Sequence, residues 1–336
     1  MGTPRISYER AKEAVDAASA ALLQGLGARQ GARRLGITEN ALQARLRVAK
    51  FFYGLEPVGA PNPPAVEFDT SAPVKQRIRV KAPSSRDDSP VYRVVGVGDF
   101  HDAPELDKTR AKWIGRHVAE TKPDACVWIG DIADFDSLSR HATPGSMSDK
   151  LRPSYARDLE SLEEALSLYR KECDTVTHVT GGNHEARIWR YEEQSAAAAG
   201  MLTGPFLDVM ARFDMRFRPE GEWLLIGGCA FVHAPTGLTG RLMGGEWMNA
   251  IANRSRISTV MGHSHRAQVV TAHKLGPFGN VTLLNLGTSL PYGFVKPYAK
   301  IATSGWSWGV FNITIQAGHI IGHDFISMQA LSERYA

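Results

Sequence analysis

Thr180-Gly181-Gly182-Asn183-His184-Glu185-Ala186-Arg187 follows a short β-prone run, Val176 to Val179, and precedes a helix-favouring stretch, so it reads as the turn from a strand end into a helix. In open α/β sheets such turns line the crevice at the carboxyl ends of the strands, where ligands bind. Asn183 and His184 are then presented to a site rather than to the core. Taken alone, Gly-Asn-His-Glu reads equally well as a tight turn with Asn in the left-handed region.

The pattern recurs. Tyr92-Arg93-Val94-Val95-Gly96-Val97-Gly98 ends in Asp99-Phe100-His101, and Ala125-Cys126-Val127-Trp128-Ile129 ends in Gly130-Asp131-Ile132-Ala133-Asp134. Cys229-Ala230-Phe231-Val232 ends in His233, and Thr259-Val260-Met261 ends in Gly262-His263-Ser264-His265. A single imidazole has an ordinary explanation in the core or on the surface. Five strand-like runs ending in metal-capable side chains are a pattern. The ordered set resembles the calcineurin-like metallophosphoesterase superfamily, whose blocks are Asp-x-His, Gly-Asp-x-x-Asp, Gly-Asn-His-Asp/Glu, His and Gly-His-x-His. The resemblance covers roughly Tyr92 to Phe325.

Periodicity gives an α/β domain: strands at 92–98, 125–130 and 175–180, helices near 106–120, 156–172 and from 185, and a closing hairpin from Trp308 to Phe325. The resemblance implies a more specific mixed α/β fold, a two-sheet sandwich flanked by helices. It also implies two divalent metal ions, with Asp99, His101 and His265 on one, Asn183, His233 and His263 on the other, and Asp131 bridging. Carboxylate, imidazole and amide donors without thiolate suit Mn²⁺ first, then Mg²⁺, Fe²⁺ or Zn²⁺. Two such ions ~3.5–4 Å apart share a hydroxide at neutral pH and neutralise the phosphoryl oxygens during in-line displacement. His184 adjoins a ligand but is assigned to no metal, which makes it the general acid. Asp134 is then the carboxylate that orients its ring, or else the cap of the next helical turn. Glu185 either caps its helix or steadies a ligand histidine.

One departure narrows the substrate. Protein serine/threonine phosphatases resemble these blocks but carry Arg where this chain has Phe135 and Gly181, so two phosphate-clamping guanidiniums are missing. Arg140, Arg152, Arg187 and Arg190 are the candidates to replace them.

With 43% hydrophobic and 22% charged residues among 336, the composition is that of a soluble globular protein. No apolar run of membrane-spanning length and no signal-peptide pattern occur, so the expectation is a cytoplasmic protein with no membrane partner. Cys126, Cys173 and Cys229 are an odd, scattered set, expected to be reduced and structural. The net charge of +4 resides entirely in residues 1–60, where nine Lys/Arg face five Asp/Glu; 30 of each sign remain beyond.

That basic segment predicts three helices: Ser7 to about Leu23, Ala28 to Leu35, and Glu39 to about Tyr53 after a Gly36-Ile37-Thr38 turn. Leu42, Leu46, Ala49 and Tyr53 share the inward face of the third, with the Tyr53 hydroxyl turned to water. Asn40, Gln43, Arg47 and Lys50 share an outward stripe of the residue types that read bases and phosphates. Gly31 to Leu42 looks like the helix-turn-helix of homeodomain-like bacterial DNA-binding modules; a three-helix protein-contact bundle is the alternative. The predicted organisation is therefore a helix-turn-helix domain at 1–55, a Pro-rich linker at 56–90 with an edge strand at Val74–Lys81, and the metallophosphoesterase domain at 91–328. Two more segments have alternative readings. Phe135 to Arg157 is a substrate-binding loop or a surface excursion, and Leu290 to Lys300 is a single-strand-binding surface or a packed loop.

These readings converge on a dinuclear metal-dependent phosphodiesterase, a DNA nuclease held on nucleic acid by its N-terminal module. The runner-up is a phosphomonoesterase acting on protein or small molecules. A nucleic-acid-binding protein without activity is disfavoured, since every expected ligand is present.

Overall fold

Three helices form the first of two units into which the chain divides, residues 1–80 and 81–336. The computed structural model describes residues 6–22, 24, 28–55, 57, 89–140, 145–194, 196–237, 240–244, 247–275, 279–296 and 305–336. The strand expected at Val74–Lys81, and nearly all of the expected linker, lie outside the described residues.

The helices of the first unit are α1 (Tyr8–Leu22), α2 (Ala28–Arg34) and α3 (Glu39–Tyr53). Thr38 starts α3, its hydroxyl accepting from the Ala41 N–H at 3.2 Å, and left-handed Gly54 ends it. Ala11, Ala14, Val15, Ala32, Leu42 and Ala49 are buried, with Leu46 and Tyr53 packed against them; small side chains let the helices approach closely. Tyr53 departs from expectation. Its hydroxyl donates to the Ile6 carbonyl at 3.0 Å and its ring meets Tyr8 edge-on, because the phenol tip reaches the segment leading into α1 instead of water.

The second unit runs β1 (Val91–Val97), α4 (Thr109–Thr121), β2 (Ala125–Trp128), α5 (Met147–Lys150), α6 (Tyr155–Glu172), β3 (Thr177–Thr180), α7 (Ala186–Glu193), α8 (Thr203–Arg212) and β4 (Met215–Arg218). It continues with β5 (Leu224–Ile226), β6 (Cys229–Phe231), α9 (Met248–Arg254), β7 (Thr259–Met261), β8 (Ala267–Ala272), β9 (Val281–Leu286), β10 (Gly309–Gln316), β11 (His319–Ser327) and α10 (Met328–Tyr335). One sheet has the order β11-β10-β1-β2-β3-β4, the other β5-β6-β7-β9-β8. The segment β1 to β4 is parallel, as the alternating strands and helices require, and β10 and β11 close its far edge antiparallel.

Alternate side chains set the layers. Val94, Val127 and Ile129 pack with Phe231, Val260, Leu284 and Leu286 between the sheets. Val95, Cys126, Trp128 and Val179, on the opposite face, bury against Ile114 and Val118 of α4, Leu162, Leu166 and Tyr169 of α6, and Met328 and Leu331 of α10. Met248 and Ile251 of α9 cover the outer face of the second sheet. All four residues of β2 are buried, as a central parallel strand demands. The hairpin expected from Trp308 is β10–β11, and α10 follows it, begun by Ser327 accepting from the Ala330 N–H. All three cysteines are buried and free. Among the described residues no helix is long and apolar enough to cross a membrane.

Candidate metal centre

The carboxyl ends of β1, β2, β3, β6 and β7 deliver the five sequence blocks to one place. Asp99, His101 and His265 bring ligand-capable atoms within 4.8 Å of one another, and so do Asp131, His233 and His263. His265 Nε2 lies 3.1 Å from Asp99 Oδ2 and 2.9 Å from His101 Nε2. Asn183 Oδ1 lies 3.2 Å from His233 Nε2, beside the second group. Asp131 Oδ2 stands between the two, 3.3 Å from His233 Nε2 and 4.0 Å from His101 Nε2. A third grouping, His101, Asp134 and His184, shares its first histidine with the first.

The loops reach this geometry at the expense of local backbone preference. His101, Asp131, His263 and His265 hold φ of 48°, 47°, 73° and 57°, a left-handed conformation costing about 1–3 kcal/mol each. Two glycines permit the close approach: a Cβ on Gly182 would sit 2.2 Å from Asp131 Oδ1, and one on Gly262 2.3 Å from Asp99 Oδ1. Glu185 ties the turns together. It is buried, and its carboxylate accepts from the N–H groups of Asp131, Ile132 and Gly182 at 2.9, 2.9 and 2.7 Å. Its side chain makes no cap bond for α7 and, among the described residues, no hydrogen bond to a ligand imidazole; it clamps the β2 loop onto the β3 loop. Burial, then Asp131, push Glu185 up to about 7, against its backbone donors.

Hydrogen bonds to the far side of two imidazoles fix which nitrogen faces the centre. His101 Nδ1 is 2.8 Å from Asp134 Oδ1 and His233 Nδ1 is 2.8 Å from the Ile129 carbonyl, so both turn Nε2 toward the centre. Asp99 and Asp131 are buried, and among the described residues neither has a Lys or Arg ion-pair partner. Burial opposes charge on His233, yet Asp131 and Asp99 outweigh it and raise that imidazole to about 10. Burial likewise pushes Asp131 upward, but His233 and His184 hold it well below the usual carboxylate range. Two buried carboxylates with no Lys or Arg partner, faced by imidazole nitrogens, are a donor set that fits divalent metal ions, one of which would displace the proton that the carboxylates hold on His233.

The second half of the expected machinery is arranged differently from the sequence reading. Asp134 was expected to orient His184 through its carboxylate; instead its backbone carbonyl takes His184 Nδ1 at 2.9 Å, with the carboxylate 3.7 Å away. The carboxylate is engaged elsewhere, by His101 and by the buried ammonium of Lys296. His184 Nε2 lies 3.2 Å from Arg187 Nη2, which donates to it. Burial, reinforced by Arg187 and opposed by Asp131, lowers His184 to about 4, so at neutral pH its proton sits on Nδ1. Lys296 comes from the aromatic-lysine run that suggested a strand-binding surface. It is 5% exposed, and Phe294 beside it packs with Ala103, Leu106 and Leu290, so these two side chains belong to a packed loop, while Tyr292 of the same run is exposed. Only its place in a long loop marked Lys296; no local pattern shows that it points inward.

In the first unit, Asn40, Gln43, Arg47 and Lys50 are all exposed on α3. Arg47 and Lys50 line a shallow groove with Leu46, Leu55 and Pro57. Of the arginines suggested as phosphate clamps, Arg140, Arg187 and Arg190 line one cleft, whereas Arg152 pairs with Asp149 at 3.1 Å.

Residues 92–267 match the calcineurin-like phosphoesterase family. Among curated proteins, the chain is 26% identical over 245 residues to the Gene 54 protein of Mycobacterium phage L5, covering 68% of this chain and 91% of that one. It is 25% identical over 235 residues to the Gene 54 protein of Mycobacterium phage D29, with the same coverages of 68% and 91%. Among solved structures it matches a dimetal phosphatase from Danio rerio at 10% identity and a TM-score of 0.34, covering 71% of this chain and 100% of that one.

Proposed function

Because the chain belongs to the calcineurin-like phosphoesterase family, we propose that it is a dinuclear metal-dependent phosphodiesterase acting on nucleic acid, most specifically a DNA nuclease. The observation that carries this reading is the pairing of a buried, cation-seeking centre with an excess of positive charge confined to residues 1–60. Asp99, His101 and His265 would hold one ion, Asn183, His233 and His263 the other, and Asp131 would serve both. Bound there, Mn²⁺ or a similar divalent ion would supply Lewis acidity for the phosphoryl group and a nucleophile from water near neutral pH.

The chain's own groups do the rest. Asp134 fixes the tautomer of His101 through Nδ1, and the Ile129 carbonyl does the same for His233. The His184 backbone N–H, donating to Asp131 Oδ1 at 2.9 Å, holds the other oxygen of Asp131 toward the ligand imidazoles. The His184 ring is the proton donor to the leaving oxygen. A phosphoryl group against Nε2 brings the negative charge that favours the imidazolium and competes for Arg187. On α3, Arg47 and Lys50 contact phosphates while Asn40 and Gln43 face base edges, which retains the enzyme on DNA.

The test is an activity panel with Mn²⁺ on bis-p-nitrophenyl phosphate, p-nitrophenyl phosphate, and single- and double-stranded DNA. Cleavage of the diester and of DNA is expected. Turnover of the monoester alone would replace this reading with a phosphomonoesterase.

A further inference from the structure

Beside the centre is a cleft of about 160 Å³ lined by Leu138, Arg140, Arg187, Arg190 and Tyr191. Arg187, Arg190 and Tyr191, three and four residues apart, share one face of α7, and Leu138 and Arg140 come from the turn after the β2 loop. Two guanidiniums are aimed by the ligand loops themselves. Arg187 Nη1 donates to the Asp134 carbonyl at 2.7 Å while Nη2 reaches His184, and Arg190 donates to the carbonyls of Asn183 and Ala186 at 2.6 and 3.1 Å. Acidic compensation is slight. Asp136 lies 3.7 Å from Arg187, Glu220 feels Arg190 from beyond ion-pair distance, and among the described residues no carboxylate pairs with Arg140 or Arg190. Tyr191 is half exposed at the same cleft, a flat ring open to solvent.

We propose that this cleft is a subsite for the phosphodiester next to the scissile one on a single strand, with the arginines on its oxygens and Tyr191 against the adjoining base. The inference rests on the phosphodiesterase reading above and adds a substrate class, an oligonucleotide with at least two phosphates. The guanidinium N–H groups that these bonds leave over suit phosphate oxygens, and an exposed aromatic beside them stacks on any base. Through Arg187 the subsite touches His184, whose Nε2 is 3.9 Å from Asp131 Oδ2, so a strand lying in the cleft runs directly into the centre.

The experiment compares (dT)5 with bis-p-nitrophenyl phosphate, which has a single phosphate and cannot fill the subsite. For Arg140→Ala and Arg190→Ala, kcat/KM on (dT)5 is expected to fall about tenfold more than on the small diester, through KM; one charge-assisted hydrogen bond is worth about that factor. Arg190 also steadies the Asn183 loop, so Arg140→Ala, on an exposed side chain, keeps the test valid if Arg190→Ala unfolds. With metal chelated, (dT)5 binding across a salt series should have a log–log slope shallower by ~0.7 for each phosphate that an arginine no longer neutralises. Equal losses on both substrates with an unchanged salt slope would overturn the subsite while leaving the phosphodiesterase reading intact. Monoester-only turnover by the parent protein would remove that reading first.

Discussion

The three-helix unit and the metal centre solve opposite problems. In α3 the ends and the split into buried and exposed faces follow from the local sequence: Thr38 starts it, Gly54 stops it, Leu42 and Ala49 are buried, and Asn40, Gln43, Arg47 and Lys50 are exposed. At the centre almost nothing is explained locally. Asp99 meets the backbone of His263 across 164 residues, and four of the ligand candidates hold backbone conformations that their own chemistry disfavours. A region built from propensity tolerates substitution piecemeal, whereas one built by long-range clamps should fail as a unit. That contrast can be broken by mutation.

The largest effect is expected at Asp131. Asp131→Asn removes the negative charge that stands between the two donor groups, so both ions and all hydrolysis should be lost together. Metal analysis showing two ions per chain with normal turnover would rule out the bridging role.

His184→Asn comes next. The backbone N–H that holds Asp131 is untouched, so metal content should persist while turnover falls by about 10²–10⁴-fold on poor leaving groups. An activated aryl ester should lose much less. Equal losses on both ester types would argue against proton donation.

Asp134→Asn then separates the two contacts that this residue makes. The backbone carbonyl that holds His184 survives the change, and the carboxylate that holds His101 does not. Metal affinity should drop by about 10–100-fold, read from Mn²⁺ activation curves, as for other outer partners of ligand histidines. A leaving-group dependence like that of His184→Asn would show instead that the carboxylate serves the acid.

The sequence makes β1, β2, β3, β6, β7, the β10–β11 hairpin, helices α1 to α4, α6 and α7, and the seven ligand candidates readable, each block being short and following a strand end; β4, β5, β8, β9, α5 and α8 to α10 carry no such mark. What is not readable is direction. Glu185 looks like a helix cap yet its carboxylate accepts from four N–H groups of two loops, and Lys296 looks like a surface lysine yet is buried against Asp134. Both depend on a partner far along the chain, about which neighbouring residues carry no information. Tyr53 is a milder case: its place on the inward face follows from helical period, while its hydroxyl partner, Ile6, depends on how α1 begins.

The smallest effect should come from the stripe on α3, where the comparison predicts tolerance of fold with loss of grip. Arg47 and Lys50 are exposed while Leu42 and Ala49 are buried, so replacing both cations with Ala leaves the helix core intact and should leave melting of this unit unchanged. Each phosphate that is no longer neutralised should flatten the dependence of log affinity on log salt by about 0.9 for duplex DNA. The changes lie in a different unit from the ligands, so hydrolysis of bis-p-nitrophenyl phosphate should match the parent. The measurement is duplex binding by the double variant across a salt series with metal chelated, run beside small-diester turnover. Parent-like affinity and slope would mean that α3 does not hold DNA through this stripe, and would favour the three helices as a surface for another protein.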